Sequence, residues 1–215
     1  MARLDPDTQR QRREHILDAA ERCFARAGFH RTTMQDICKE ASVSPGALYI
    51  YFDSKEALIA GIAERDRLEF QCRFEGLRQA SDVMKALDVL AAQYFVDEPP
   101  HKRLMCIEIG VEATRNERVG EVYRAVDSHV RQSFEALFRR LAEEGRIAPK
   151  LEIPVLAQVF ATLGDGLIWR RATDPGFRAE TILPAVLEVI EGLLNPPRAA
   201  GAEASAPVAE KETGR

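Results

Sequence analysis

The chain has 215 residues, of which 46% are hydrophobic and 30% charged, enough apolar matter for one large globular domain or two small ones. Its net charge of -4 and pI near 5.7 argue, taken alone, against nucleic acid, because phosphate neutralisation dominates affinity for DNA. No apolar stretch approaches the roughly 18 residues that span a bilayer, and residues 1–13 hold no signal-peptide core, so a cytoplasmic protein without a membrane partner is expected.

The distribution of charge reopens the nucleic-acid question. Residues 1–60 carry nine Lys/Arg and nine Asp/Glu, and the remainder, with 21 against 25, accounts for the whole net charge. Arg3, Arg10, Arg12 and Arg13 gather ahead of the first apolar-periodic residue and offer a basic arm. From Thr8 to Gly28 the positions Ile16, Ala20, Cys23, Phe24 and Ala27 follow the spacing of an amphipathic helix, with Gly28 as its stop. A short second helix starts at Thr32 or Thr33 and fades at Ala41-Ser42. Ser44 as N-cap and Pro45 at the first helical position begin a third through Leu48 and Phe52. Asp53 with Glu56 has capping-box spacing and opens a long helix to about Leu77.

Further helical patterns cover Asp82 to Val96, Lys102 to Thr114, Arg118 to Glu143, Ile153 to Ala172 and Thr181 to Leu194. Pro99-Pro100, Asn116, Gly145 to Pro149 and Asp174-Pro175-Gly176 separate them, and Pro154 and Pro184 are expected in first turns. No strand alternation competes, so the expected fold is all-α with about nine helices. It divides into a helix-turn-helix unit with its basic arm over 1–55, a helical bundle over 56–194, and a tail over 195–215 too poor in apolar pattern to pack. Cys23, Cys38, Cys72 and Cys106 show no C-x-x-C spacing, which excludes a zinc ribbon. Cys23 and Cys38 read as small buried hydrophobes.

Two short helices joined by a tight turn, with another packed behind, let a protruding helix enter the major groove of DNA. Once Leu48 and Phe52 turn inward, Ser44, Gly46, Ala47, Tyr49 and Tyr51 remain outside. The small residues permit close backbone approach, and Tyr49, Tyr51 and Lys55 can reach phosphates. The string from Gly28 to Leu58, GFHRTTMQDICKEASVSPGALYIYFDSKEAL, resembles the N-terminal signature of the TetR family of transcriptional regulators. The matching elements are G-F before the turn, T-T-M before helix two, V-S-P-G-A-L-Y at helix three and F-x-S-K-E-A-L into helix four. The resemblance implies phosphate contacts from Thr33, Tyr51 and Lys55, and a DNA-facing surface of Ser44, Gly46, Ala47 and Tyr49. It departs from the family at Ser42, where glycine is commonest and a positive φ or a shifted turn is needed. Cys38 stands in place of the usual Ala, and Ile50 in place of an aromatic or basic residue.

The last helix is apolar on two adjoining rows, Leu183-Leu187-Ile190-Leu194 and Ile182-Val186-Val189-Leu193, more than a terminal helix needs for one core contact. A second interface is implied, and TetR-like proteins dimerise through their last two helices. The expected homodimer residues are Leu156, Phe160, Leu163, Leu167, Leu183, Val186, Leu187 and Ile190. Phe70, Phe74, Tyr94, Met105, Tyr123, Phe134 and Trp169, with Glu112 as a polar anchor, are candidates to line a cavity for a small-molecule effector. Metalloprotease, Walker and G-x-S-x-G motifs are absent, so no catalytic residue, metal ligand or cofactor is expected. The resulting expectation is a homodimeric repressor that leaves a double-stranded operator when its effector binds. The alternative is a helical ligand-binding or scaffolding module without operator binding.

Overall fold

The computed structural model describes residues 5–197, and every regular element within them is helical. The order is α1 (Pro6–Ala27), α2 (Met34–Glu40), α3 (Pro45–Tyr51), α4 (Lys55–Gln79), α5 (Val83–Ala92), a π-helical turn (Gln93–Asp97), α6 (Pro100–Glu112), α7 (Glu117–Glu143), α8 (Ile153–Thr173) and α9 (Ala179–Leu194).

Local chemistry sets most boundaries. Thr33 and Asp36 close a capping box at the start of α2, and the Ser44 hydroxyl accepts the Ala47 N–H at 3.2 Å at the start of α3. Between these helices Ser42 takes φ 51°, so the left-handed turn is made without glycine. Asn195 closes α9 in the same conformation, its side-chain amide donating to the Ala148 carbonyl at 2.9 Å.

Three expectations are corrected. Arg10, Arg12 and Arg13 are not an arm but the first turns of α1, which Pro6 initiates; Arg10 pairs with Asp7 at 2.7 Å, and the Arg13 guanidinium lies 5.3 Å from the Phe52 ring centroid. Arg3 and the tail beyond 197 lie outside the described residues. Ser54, not Asp53, caps α4 by accepting the Ala57 N–H at 3.1 Å, and Glu56 accepts instead from Asn116 at 3.2 Å. Pro184 sits in the second turn of α9 because that helix already starts at Ala179, which is buried. The helix α4 runs unbroken from Lys55 to Gln79, so the expected boundary after residue 55 falls at its first residue.

Two apolar cores flank that continuity. The first joins Ile16, Leu17, Cys23 and Phe24 of α1, Phe29, Ile37, Leu48 and Phe52 to Leu58, Ile59 and Ile62 of α4, with Met105 of α6 and Val119 of α7 completing it. The second gathers Phe70, Phe74 and Leu77 of α4 with Leu137, Phe138 and Leu141 of α7, Leu156 and Phe160 of α8, and Ile190 and Leu194 of α9. Cys23 and Cys38 are buried in the first core, while Cys72 and Cys106 are exposed.

Candidate nucleic-acid interface

The helix α3 is anchored by one fully buried side chain, Leu48, and by Phe52 just beyond its end. Its other face is open. Tyr49 is 54% exposed and Ile50 79%, while a methyl group placed on Gly46 would meet no atom within 4 Å. Ser44 is exposed and Ala47 half-buried, so these residues share one accessible surface around the start of the helix. Large apolar side chains left in water on an otherwise anchored helix need a partner, and Ile50 offers the apolar contact that a thymine methyl accepts.

The flanking residues are held more tightly than their spacing revealed. The Thr33 hydroxyl donates to Asp36 Oδ2 at 2.6 Å, and its backbone N–H donates to the same oxygen at 3.0 Å. These two bonds hold the Asp36 carboxyl below the usual carboxylate range. Lys55 is engaged within the chain: its ammonium donates to the Phe29 carbonyl at 2.5 Å and stands 4.2 Å from the Phe29 ring centroid. Tyr51 is half-buried against the first core. Arg22 and Arg26 grip Glu40 at 2.9 and 3.1 Å, tying α1 to α2 and holding that carboxyl low. Arg65 of α4 reaches Asp18 of α1 at 2.6 Å and the buried Glu21 at 2.5 Å. The helix α3 is therefore mounted on a cross-linked frame.

Besides the apolar contacts of Met105 and Val119, three further contacts join the bundle to this frame. His30 Nε2 lies 2.8 Å from Glu112 Oε2, and Glu112, buried at the end of α6, also accepts from Arg115 at 3.0 Å. Asn116 bonds Glu56, and Glu108 packs so closely on Gly28 that an added methyl would stand 2.7 Å from its Oε1. Glu112 is thus a strut between the units. No local pattern could have indicated this, since His30 and Glu112 are remote in sequence.

The other effector candidates divide. Phe70, Phe74, Tyr94 and Phe134 do converge, with Phe70–Phe74 centroids 5.2 Å apart and Phe74–Phe134 5.1 Å. Met105 belongs to the first core, Tyr123 reaches the surface, and Trp169 is 52% exposed. The expected dimer residues also divide by where the single chain places them. Leu156, Phe160, Leu167, Leu183 and Ile190 are buried within the single chain, because the first row of α9 and the matching row of α8 pack inward. Leu163, Val186 and Leu187 are half-buried against the same core. What α8 and α9 leave outside is Val155, Trp169, Ile182 and Val189.

A helix-turn-helix unit mounted on a helical bundle is the build of a DNA-binding transcriptional regulator. Residues 16–62 match the model of the bacterial regulatory proteins of the tetR family, and residues 85–195 match that of the BetI-type transcriptional repressor, C-terminal. The HTH-type transcriptional regulator UidR of Escherichia coli K12 is 27% identical over 186 residues, 85% of this chain and 92% of UidR. The solved structure of Salmonella enterica GusR superposes with a TM-score of 0.74 at 28% identity, covering 86% of this chain and 95% of that one. FadR of Bacillus subtilis, solved with stearoyl-CoA, shares the fold at a TM-score of 0.72 and 18% identity, over 82% and 96% of the two chains. The chain belongs to the TetR family of transcriptional regulators, which are not enzymes.

Proposed function

We propose that this regulator is a homodimeric repressor that binds a pseudo-palindromic operator and leaves it when a small molecule enters the bundle. The observation that carries the DNA half is the outward face of α3, where Tyr49 and Ile50 stand in solvent beside the open Gly46. Ser44, Ala47 and Tyr49 face the groove, Thr33 and Tyr51 lie beside the phosphates, and Lys55 holds the start of α4 against the Phe29 loop while lending its charge to the same edge. Two-fold symmetry of the dimer is what demands symmetry in the operator, with reading helices about 34–36 Å apart or a multiple of that.

The second copy covers the outer row of α9, Ile182 and Val189, with Val155 and Trp169 of α8, which would otherwise be an apolar strip in water. The effector enters beside Phe70, Phe74, Tyr94 and Phe134, whose rings have to part to admit it. Its leverage on DNA is bounded by linkage: a hundredfold loss of operator affinity requires about 2.7 kcal/mol of preference for the released form.

Operator selection from random duplexes, followed by shift assays at fixed salt, tests the reading. Tyr49→Ala should weaken the selected site by about tenfold or more without lowering the melting temperature. Recovery of no enriched sequence, or equal affinity of Tyr49→Ala and Ile50→Ala with the parent, would leave the alternative of a module that does not bind operators.

A further inference from the structure

The segment that follows α5, Gln93–Asp97, winds as a π-helix, a rare conformation that concentrates at functional sites. Two arginines hold it from outside. Arg171, near the end of α8, donates from Nη2 to the Val96 carbonyl at 2.7 Å, and Arg103, in the first turn of α6, donates to the Glu98 carbonyl. Their guanidinium groups therefore flank one short stretch of backbone, Val96 to Glu98.

Neither arginine has a carboxylate partner among the described residues. The acid nearest to hand, Glu98, is already committed on its other side, with Oε2 at 3.0 Å from Arg73 and Oε1 at 3.3 Å from Lys102. Asp97 faces solvent. One guanidinium nitrogen of Arg171, Nη1, is shielded from water and has no hydrogen-bond partner. A buried N–H without an acceptor is costly, and a second cation beside it adds to that cost. Burial, and then the charge of Arg171, push the Arg103 guanidinium below its usual range. Phe160, Leu163 and Leu167 run along α8 toward Arg171, so an apolar row leading from the phenylalanine cluster ends at the unpaired donor.

We propose that Arg103 and Arg171 seat the anionic head of the effector, a carboxylate or a phosphate monoester, with its apolar body along Leu163 and Leu167. The planar fork of a guanidinium matches either head group through paired N–H donors. The assignment rests on the effector reading above, which it deepens by naming the ligand class.

The test uses the full chain with three probes of one carbon skeleton: hexanoate, hexyl phosphate and 1-hexanol. Binding is followed by calorimetry and by the emission of Trp169, the single tryptophan of the chain, two positions from Arg171. At least one anion should bind tenfold or more tighter than the alcohol, about 1.4 kcal/mol. Whichever anion it is identifies the head group. Arg103→Gln and Arg171→Gln should each abolish that preference, and Arg170→Gln, at an exposed neighbour, should keep it. Arg171→Lys guards against a folding defect and should keep part of the preference. The seat is overturned if neither anion is preferred by the parent, or if the preference survives in Arg103→Gln and Arg171→Gln variants that melt with the parent. Shift assays with the same probes separate the two layers. An anion that binds without weakening operator affinity leaves the seat and removes its effector role, whereas no anion binding removes the seat and leaves the effector reading to other ligand chemistry.

Discussion

Asp66 carries a charge in an unfavourable place. Its Oδ1 is shielded from water without a hydrogen-bond donor, 3.7 Å from Arg65 Nε and 3.8 Å from Lys102 Nζ, and burial pushes the carboxyl up to about 6. Between an unfolded value near 3.9 and that folded value, the folded chain keeps a proton that the unfolded chain has released. Stability therefore falls as the pH rises through this window and stays lower above it. Asp66→Asn should melt above the parent beyond about pH 6 and with it below about pH 4. A shift of two units is worth about 2.7 kcal/mol, which solvent screening of a side chain 39% exposed reduces to about 1 kcal/mol. A difference in melting temperature that is flat across pH 4–7 would remove Asp66 as the cause. Glycines on α4 make a second pair of residue-scale predictions. A methyl at Gly61 would stand 2.8 Å from Phe52 Cε1 and 2.9 Å from Leu17 Cδ2, so Gly61→Ala should cost about 1–3 kcal/mol. Gly76 meets nothing within 4 Å in the same helix, and Gly76→Ala should stabilise by up to about 1 kcal/mol. Denaturant midpoints that fail to move in opposite directions would contradict the close packing of α4 on α1.

Among the elements, α9 separates two roles along its length. Leu187 leans on the second core, whereas Val189 points away from the chain and is 56% exposed. Val189→Glu should dissociate the dimer at micromolar concentration in analytical ultracentrifugation while the monomer stays folded. Leu187→Glu should instead lower stability itself by about 2 kcal/mol or more, because a carboxylate would enter the apolar core. A dimeric Val189→Glu would place the interface on another surface. Both rows of α9 were legible as apolar, and only one of them is consumed by the chain's own core. Which row meets which partner was not legible, since that depends on the rotation of α9 against α8 and α5. Caps were read almost to the residue where Ser44-Pro45 and Thr33 act locally, and missed by one at Ser54, where Asp53 offered an equal spacing. The π-helical turn carried no signal: Gln93–Asp97 continues an ordinary helical pattern, and Arg103 and Arg171 reach it from elsewhere in the chain. The exposed face of α3, by contrast, followed from subtracting Leu48 and Phe52, because a helix this short has only one side to bury.

At the scale of the whole molecule, the bundle and the reading unit are joined by two polar contacts, His30 with Glu112 and Glu56 with Asn116, and by the packing of Glu108 on Gly28. Glu112→Ala removes a buried carboxylate bonded from both sides and should lower hydrogen-exchange protection across α2 and α3 while sparing α7 and α8. Unchanged protection in α2 and α3 would mean that the apolar contacts alone fix the two units. Those apolar contacts have a further consequence. Met105 and Val119 are structural members of the reading unit, although they lie some forty residues or more beyond the last residue of α4's first turns in the chain and belong to helices of the bundle. A fragment ending at residue 55 would lack Leu58, Ile59, Ile62, Met105 and Val119 from one continuous core and should not fold alone. Recombination between relatives is constrained in the same way. An exchanged operator-reading segment has to find a fitting α6 and α7 in its new host, so the specificity for DNA and the body that senses the ligand are inherited together more readily than apart.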